Sequence, residues 1–554
     1  MRIFGLLFLL VNIAFAQNKK VSTYLIKQDS NKGHENYYLI YFKDKPAVFN
    51  ENKIPALSAR SILRRARQGI LLSETDYPVS DHYIRIISQR HIKIMGSSRW
   101  LNAIVVESNQ KQLFSLGNLP FVKKIEPLPY RISKPVSLLQ TQSAFGLSSS
   151  TQLNMLELDK LHAQGFTGKG KLIAIFDNGF TNANTLFPFQ RIFKENRFIA
   201  SKNFVDSRTV FETGSDGEHG CMTFSLIGSY MPPNFFGSAY DASFALAVTE
   251  DMSREGILEE INWFFAAEWA DSLGADIISS SLGYATKFTY GASHTYDEMD
   301  GKTTIVSIAA NYAASKGILV VSAAGNEGDG AWQYITAPAD ADSCLAVGAV
   351  DEREQYVYFS SKGPSYDGRI KPDVAAMGGN TTILYTDGDL REGSGTSFAC
   401  PLVAGFAACM WQVSDSLKNM QLFELIKESG NQAFAPDTLL GWGVPSASYI
   451  YEKITGKELP AAFATEHILQ ILPNPIQQNF TVSFYHYGAP MEMQLVFYHL
   501  NGSESKKIIL NMNYGFNFFS FSARDLQLVN GFYGLLLTDK NQGLIAKNKI
   551  LILE

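Results

Sequence analysis

The chain has 554 residues, too many for a single hydrophobic core, so two to four domains are expected. Hydrophobic residues make up 46% and charged residues 18%, enough for core burial and contrary to a long disordered segment. A net charge of only -5, with no basic face, disfavours nucleic acid and anionic membrane as partners.

Residues 1–16 begin with Arg2, continue through the apolar stretch Ile3 to Leu10 and end in Ala14-Phe15-Ala16, the pattern of a secretory signal peptide cut before Gln17. The apolar stretch is short for a membrane span, so cleavage rather than anchoring is expected. Tyr37 to Phe42 then reads as a strand, Ala56 to Gly69 as a helix and Trp100 to Val106 as a second strand, a small α+β unit. Arg60, Arg64, Arg65 and Arg67 read as a solvated face of that helix rather than a phosphate-binding patch. Between Arg131 and Asn154 the chain becomes rich in Ser, Gln and Thr and loses periodicity, which predicts a linker and a domain boundary.

From Lys171 to about Glu452, short β-branched runs alternate with longer helical stretches. Strands are predicted over Leu172–Phe176, Asp276–Ser281, Ile318–Ala323 and Leu345–Val350, and helices over Gly256–Leu273 and Thr303–Lys316. That alternation implies an α/β fold, a parallel sheet with helices on both faces and reactive groups at the carboxyl ends of its strands. Phe398 to Trp411, interrupted by Pro401 and Gly405, reads as a buried core helix, and Thr455 to Glu466 as a second linker. From about Ile468, strands over Phe480–Tyr487, Gln494–Leu500, Asn517–Phe521 and Gly531–Thr538, with Asn501-Gly502 and Asn530-Gly531 as turn signals, predict an all-β sandwich. The four cysteines, Cys221, Cys344, Cys400 and Cys409, are no disulfide scaffold and contain no C-x-x-C pair. Buried free thiols are expected, with a Cys221 to Cys400 bridge as the alternative.

The chemistry starts at Ser397. The stretch Gly393-Ser394-Gly395-Thr396-Ser397-Phe398-Ala399-Cys400-Pro401 places glycines in a tight turn before a helix. Ser397 therefore falls in the first helical turn, where unpaired N–H groups and the helix dipole can stabilise a developing oxyanion. A serine hydroxyl needs a base, and two histidines lie between Asp177 and Ser397. His294 sits in a polar loop, whereas His219 leads a compact helical stretch through Gly228, so His219 is the candidate base. Asp177 ends the apolar run Leu172 to Phe176, at a strand's carboxyl edge, where it can orient an imidazole. Asn326 follows another buried strand and can donate its amide to the oxyanion.

The order Asp177, His219, Asn326, Ser397, with Gly-Thr-Ser-Phe-Ala-Cys-Pro around the serine, resembles the subtilisin (subtilase) family of serine peptidases. Ser280-Ser281-Leu282-Gly283 resembles the family's substrate-binding strand, and Val347 to Val350, Phe359 to Pro364 and Lys371-Pro372-Asp373 its downstream core. The resemblance implies a secreted serine endopeptidase acting on protein or peptide substrates. Ser281, Leu282, Gly283, Ala323, Ala324 and Gly325 would supply backbone edges and pocket walls to a substrate strand. It further implies that residues 17–150 form a propeptide acting as intramolecular inhibitor and that residues 151–455 form the peptidase domain. Asn178 stands where the family usually has Ser or Thr, and Gly220-Cys221-Met222 replaces its usual Gly-Thr-His.

In residues 467–554, Leu472-Pro473-Asn474-Pro475, Asn530-Gly531-Phe532-Tyr533 and Lys547-Asn548-Lys549-Ile550 resemble type IX secretion sorting domains of Bacteroidetes. That likeness implies outer-membrane secretion machinery as a partner and a secreted or cell-surface location. No cofactor is required and no metal ligands are assigned; structural calcium is common in the family, but no contiguous Asp/Asn/Glu run here provides its site. An α/β-hydrolase esterase is disfavoured, because Gly395-Thr396-Ser397-Phe398-Ala399 lacks the second glycine of G-x-S-x-G and the triad order differs. The alternative outside enzymology is a catalytically inactive surface adhesin on the same scaffold.

Overall fold

The structure is a computed structural model that describes residues 36–553 apart from 46–54, 56, 129–141, 144–146, 233, 253–255, 286–292, 461–469, 487–490, 513–514 and 541–542. The expected signal peptide lies outside the described residues.

The N-terminal unit runs β1 (Asn36–Phe42), α1 (Ala59–Gln68), α2 (Asp81–Ser88), β2 (Lys93–Ser98), β3 (Ala103–Ser108), α3 (Gln110–Gly117) and β4 (Val122–Leu128). Its strands form one antiparallel sheet in the order β2-β3-β1-β4. One face packs Ile40, Phe42, Ile104 and Val106 against Ile87 of α2 and Leu113 of α3. The other turns Tyr37, Leu39, Val105 and Leu128 toward Ile257 and Ile261 of the following domain. Trp100 is not in a strand; it lies in the turn before β3 and stacks on Tyr312 with ring centroids 5.7 Å apart.

Helix α1 begins where Ser58 accepts the Ser61 amide and ends at Gly69, which takes the left-handed conformation. Its arginines correct the solvated-face expectation. Arg64 and Arg65 are 4% and 1% exposed, and their guanidinium groups lie 2.5 and 2.7 Å from the buried carboxylate of Asp271. The helix faces another domain rather than water, and ion pairing there replaces solvation. Only the Arg67 end of the run is exposed as expected.

Part of the linker expected over Arg131 to Asn154 lies outside the described residues, and the described part contains two elements. Gln142–Ser143 forms β5, paired with β16 (Leu390–Gly393), and Ser150–Met155 forms helix α4. Polar Gln152 is buried there because its amide exchanges two hydrogen bonds with the backbone of Thr382.

The central unit continues with α5 (Leu158–Ala163), β6 (Leu172–Asp177), α6 (Gln190–Lys194), β7 (Phe198–Asn203), α7 (Glu218–Gly228), the hairpin β8 (Tyr230–Met231) and β9 (Phe235–Phe236), and β10 (Ser243–Val248). There follow α8 (Ile257–Leu273), β11 (Ile277–Ser280), α9 (Ile305–Ser315), β12 (Leu319–Ala323), β13 (Cys344–Val350), β14 (Val374–Met377), β15 (Thr381–Leu384), β16, α10 (Thr396–Val413), α11 (Asn419–Glu428) and α12 (Ala447–Thr455). Seven strands form a parallel sheet in the order β14-β13-β12-β11-β6-β10-β7. All six residues of β6 are buried, as a central strand covered on both faces requires. One face carries α7 and α10, the other α8 and α9. Helix α10 is long and apolar enough to cross a membrane, yet it is buried from Thr396 through Trp411 and is a core helix.

The closing strands β17 (Gln470–Leu472), β18 (Asn479–His486), β19 (Met491–His499), β20 (Glu504–Met512), β21 (Gly515–Ser522), β22 (Gly531–Asp539) and β23 (Leu544–Ile552) form antiparallel sheets β17-β18-β21 and β20-β19-β22-β23. Phe480, Val482 and Phe484 of one sheet share a core with Leu495, Phe497 and Leu535 of the other, which makes a sandwich.

Candidate active site

The parallel sheet brings Asp177, Ser281, Ala323 and Asn326 together, because each lies at or just after the carboxyl end of β6, β11 or β12. Helices α7 and α10, packed against one another on one face of that sheet, deliver His219 and Ser397 to the same edge.

Asp177 is fully buried and its carboxylate is held by three donors. His219 Nδ1 lies 2.7 Å from Oδ1, the Asn178 amide donates to the same oxygen at 2.8 Å, and Thr223 Oγ1 donates to Oδ2 at 2.9 Å. An ionised carboxylate only accepts, so Nδ1 carries the proton and Nε2 is left with its lone pair. Burial opposes charging the imidazole, but the Asp177 charge and hydrogen bond, with the Glu250 charge, outweigh it and hold the His219 pKa above its ordinary value. Thr223 was not anticipated from the sequence. The signal was there: it follows His219 by four residues, one turn along the same helix face.

The Asn178 departure from the expected motif has a local explanation. Asn178 accepts the Gly220 amide at 3.2 Å, tying the loop after β6 to the first turn of the histidine helix. Gly220 must be glycine, since a Cβ there would stand 1.9 Å from the Gly179 carbonyl oxygen. Cys221 and Cys400 are buried and unbridged, each thiol pushed by burial up to about 12, so neither is a competing nucleophile.

Ser397 is the second residue of α10, so its amide has no partner within the helix. Pro401, four residues on, has no N–H to give the Ser397 carbonyl. The Ser281 hydroxyl takes that place at 2.8 Å, while the Ser397 hydroxyl donates to the Ser281 carbonyl at 3.3 Å. Ser281 is thus buried against the serine, its hydroxyl and carbonyl both in contact with Ser397. The N–H and C=O of Ala324 are taken by Val347 and Thr336, which leaves its methyl group to contribute to a pocket wall. Leu282 is half-buried and Gly283 exposed, so these two remain available as an edge, with Ala323 and Gly325 behind.

Asn326 is oriented by Thr396, whose amide and hydroxyl both donate to its Oδ1, at 2.8 and 2.9 Å. The side-chain carbonyl is thereby used, which directs the Nδ2 donors the other way. Among the described residues, no group of three or more His, Cys, Asp or Glu is gathered as a metal site would need. His294, set aside in the sequence, is buried between Glu260 (2.6 Å) and Glu298 (2.9 Å), away from Asp177 and in a structural role.

A hydroxyl at the mouth of a buried helix, an imidazole fixed by a buried carboxylate, and a clamped amide define a serine hydrolase on a parallel sheet. Residues 168–443 match the subtilase family and residues 37–143 the peptidase S8 propeptide domain of Bacteroidota. The chain is 26% identical over 350 residues to subtilisin E of Bacillus subtilis, covering 62% of this chain and 79% of that protein. It is 28% identical over 345 residues to a thermostable alkaline protease of Halalkalibacterium halodurans, covering 62% and 81%. In fold it resembles the epidermin leader peptide processing serine protease of Staphylococcus aureus, at 16% identity and a TM-score of 0.52 over 77% of this chain and 100% of that one. The protein carries a subtilase-family catalytic domain behind a propeptide domain and is a serine endopeptidase.

The Ser281 bond gives a direct test, made in the Ser397→Ala chain to prevent self-digestion. Ser281→Ala leaves a buried carbonyl unpaired and is expected to lower stability by about 1–3 kcal/mol. With Pro401→Ala, which restores a backbone donor, the same change should cost much less. Equal losses by urea unfolding in the two backgrounds would disprove the compensation.

Proposed function

We propose that Asp177, His219 and Ser397 act as a triad, with Asn326 and the Ser397 amide as the oxyanion hole. The observation that carries this reading is the 2.7 Å contact between His219 Nδ1 and the fully buried Asp177, which leaves Nε2 free to take a proton. In the reaction the Ser397 hydroxyl turns from the Ser281 carbonyl toward His219 Nε2. Nε2 takes its proton as Oγ attacks the peptide carbonyl, and the imidazolium is stabilised by Asp177. Nδ2 of Asn326 then donates to the developing oxyanion, and His219 returns the proton to the leaving amine. The substrate strand pairs with Leu282 and Gly283.

His219→Ala and Ser397→Ala are each expected to remove nearly all peptidase activity, and the double mutant to lose no more than either alone, because the residues act as a unit. Multiplicative losses would reject the triad. Asn326→Ala should lower kcat by on the order of a hundredfold with KM little changed, a magnitude known from subtilisin itself. The imidazole must be neutral to accept a proton, so activity is lost as pH falls through its raised pKa. The acidic limb of kcat/KM should have its midpoint above the ordinary histidine value of about 6.5. A midpoint below about 6 would contradict the role of Asp177.

The propeptide domain is read as an inhibitor of the catalytic unit, removed by cleavage in the Ser-, Gln- and Thr-rich segment from Arg131 to Asn154. The C-terminal sandwich is read as a type IX sorting domain, and the enzyme as secreted or cell-surface. Two features support that reading: the sandwich has its own core, and Asn474 of the Leu-Pro-Asn-Pro motif binds the backbone of Lys549 and Leu551 in the last strand. Deleting residues 467–554 is expected to leave peptidase activity in vitro intact while the protein accumulates in the periplasm of its host. Normal extracellular yield of the truncated chain would reject the sorting role.

A further inference from the structure

The propeptide domain touches the catalytic unit in two places. Its sheet lies on α8 and α9, with Tyr37, Leu39 and Val105 against Ile257 and Ile261. Helix α1 reaches elsewhere, to the turns that precede β6, β11 and β12. Since these strands are parallel and the candidate catalytic residues stand at their carboxyl ends, α1 is seated at the opposite end of the sheet.

At that end the surfaces are matched in charge and hydrogen bonding. Asp271, fully buried in the last turn of α8, accepts from three propeptide arginines: Arg64 at 2.5 Å, Arg65 at 2.9 and 2.7 Å through both oxygens, and Arg99 at 2.6 Å. Arg65 also binds Asp76 of its own domain at 2.7 Å, and Asp76 in turn meets Lys316 of the catalytic unit at 3.1 Å. Arg60 bonds the carbonyls of Gly170 and Gly274 and the carboxylate of Asp276. Ser58 joins the two helix ends: its amide and hydroxyl donate to the carbonyls of Ser272 and Leu273, which α8 leaves unpaired, and the hydroxyl caps α1 through the Ser61 amide. The positive end of one helix thus meets the negative end of the other. Approach is close enough that a Cβ on Gly274 would stand 2.5 Å from the Ser61 amide nitrogen. At the far end of α1, Gln68 donates to the Gly317 carbonyl at 2.6 Å and accepts the Asn419 amide at 3.0 Å.

We propose that Asp271 and the carbonyl-lined turns around it form a second propeptide-recognition site, an arginine clasp remote from the active-site cleft, that holds the N-terminal domain on the protease after the connecting segment is cut. The inference rests on reading that domain as an inhibitor and adds where its residence is decided. The three guanidinium groups converge on Asp271, and Asp76 and Glu268 share their charge through Arg65 and Arg99. Taking away one side leaves a desolvated charge without a partner, whereas full separation lets both surfaces hydrate. The Nε atoms of Arg64, Arg65 and Arg99 have no partner in the buried interface, so the clasp serves to discriminate an arginine-bearing helix more than to add raw stability.

The test uses the full chain with Ser397→Ala and an exogenous protease site inserted within residues 131–141, so docking is read without self-cleavage. After cutting, dissociation of the N-terminal domain is followed by size-exclusion chromatography with a fluorescent label on that domain. The parent fragment should remain bound, Arg64→Met/Arg65→Met should leave at least about 30-fold faster, and Arg67→Ala, on the exposed side of the same helix, should match the parent within about threefold. Release of the folded double variant at the parental rate would overturn the proposal, as would an equal effect of Arg67→Ala. If the double variant does not fold, Arg65→Lys decides: it keeps the charge but loses the two-oxygen grip on Asp271, and parental release would again overturn the clasp. Failure of the inhibitor reading would look different, as full peptidase activity of the uncut chain with Ser397 intact.

Discussion

A helix as apolar as Thr396–Val413 has no solvated face to offer, and the rest of the catalytic unit is arranged to cover it. It lies beneath the parallel sheet with α7 against it, buried from Thr396 through Trp411. Its small residues permit that closeness: a Cβ at Gly405 would fall 1.9 Å from Ser238 Oγ. Because the whole helix is held by packing, its first turn is a fixed point, and Ser397 sits there. Helix α7 must follow the same surface, which brings His219 to the end of β6, where Asp177 ends the strand.

Fixing the helix creates a defect that the neighbouring strand repairs. Pro401 removes the backbone donor due to the Ser397 carbonyl, and the Ser281 hydroxyl supplies one from the end of β11. Thr396 similarly serves both helix and site, since its amide is free at the helix start and is used to orient Asn326. The hydrogen bonds that satisfy a helix terminus are here the same ones that aim the groups around the serine.

Much of this was legible in the sequence, for different reasons. Strands β6, β11, β12 and β13 are short apolar runs bounded by turn residues, and they fall within a residue or two of the expected positions. Strand β10, Ser243–Val248, has the same apolar character and lies beside β6 with Val248 opposite Asp177, but no motif residue stands at its own carboxyl end to mark it. Strand β7 lies at the sheet edge, half exposed and polar, and gives little periodic signal. Asp177, His219, Asn326 and Ser397 could be singled out because a motif names a residue type at a strand end or helix start. The roles of Ser281 and Ala324 could not, because which backbone groups are already engaged depends on partners 116 and 23 residues away.

The arginine run marks the limit of single-helix reasoning. Arg60, Arg64 and Arg67 recur at helical spacing, and on an isolated helix such a stripe belongs in water. Here the helix docks end to end with α8, and a buried aspartate on the other side inverts the expectation. Asp177 and Asp271 are both fully buried, near opposite ends of the same sheet. Each is satisfied by cations or donors that the chain must bring from elsewhere: His219 and Thr223 in one case, three propeptide arginines in the other. The difference lies in what happens when the N-terminal domain leaves. The partners of Asp177 belong to its own domain and stay, so the site persists; those of Asp271 depart together, and water must replace them. A buried carboxylate whose hydrogen-bonded cations all come from across a domain boundary records which partner the surface was shaped to hold.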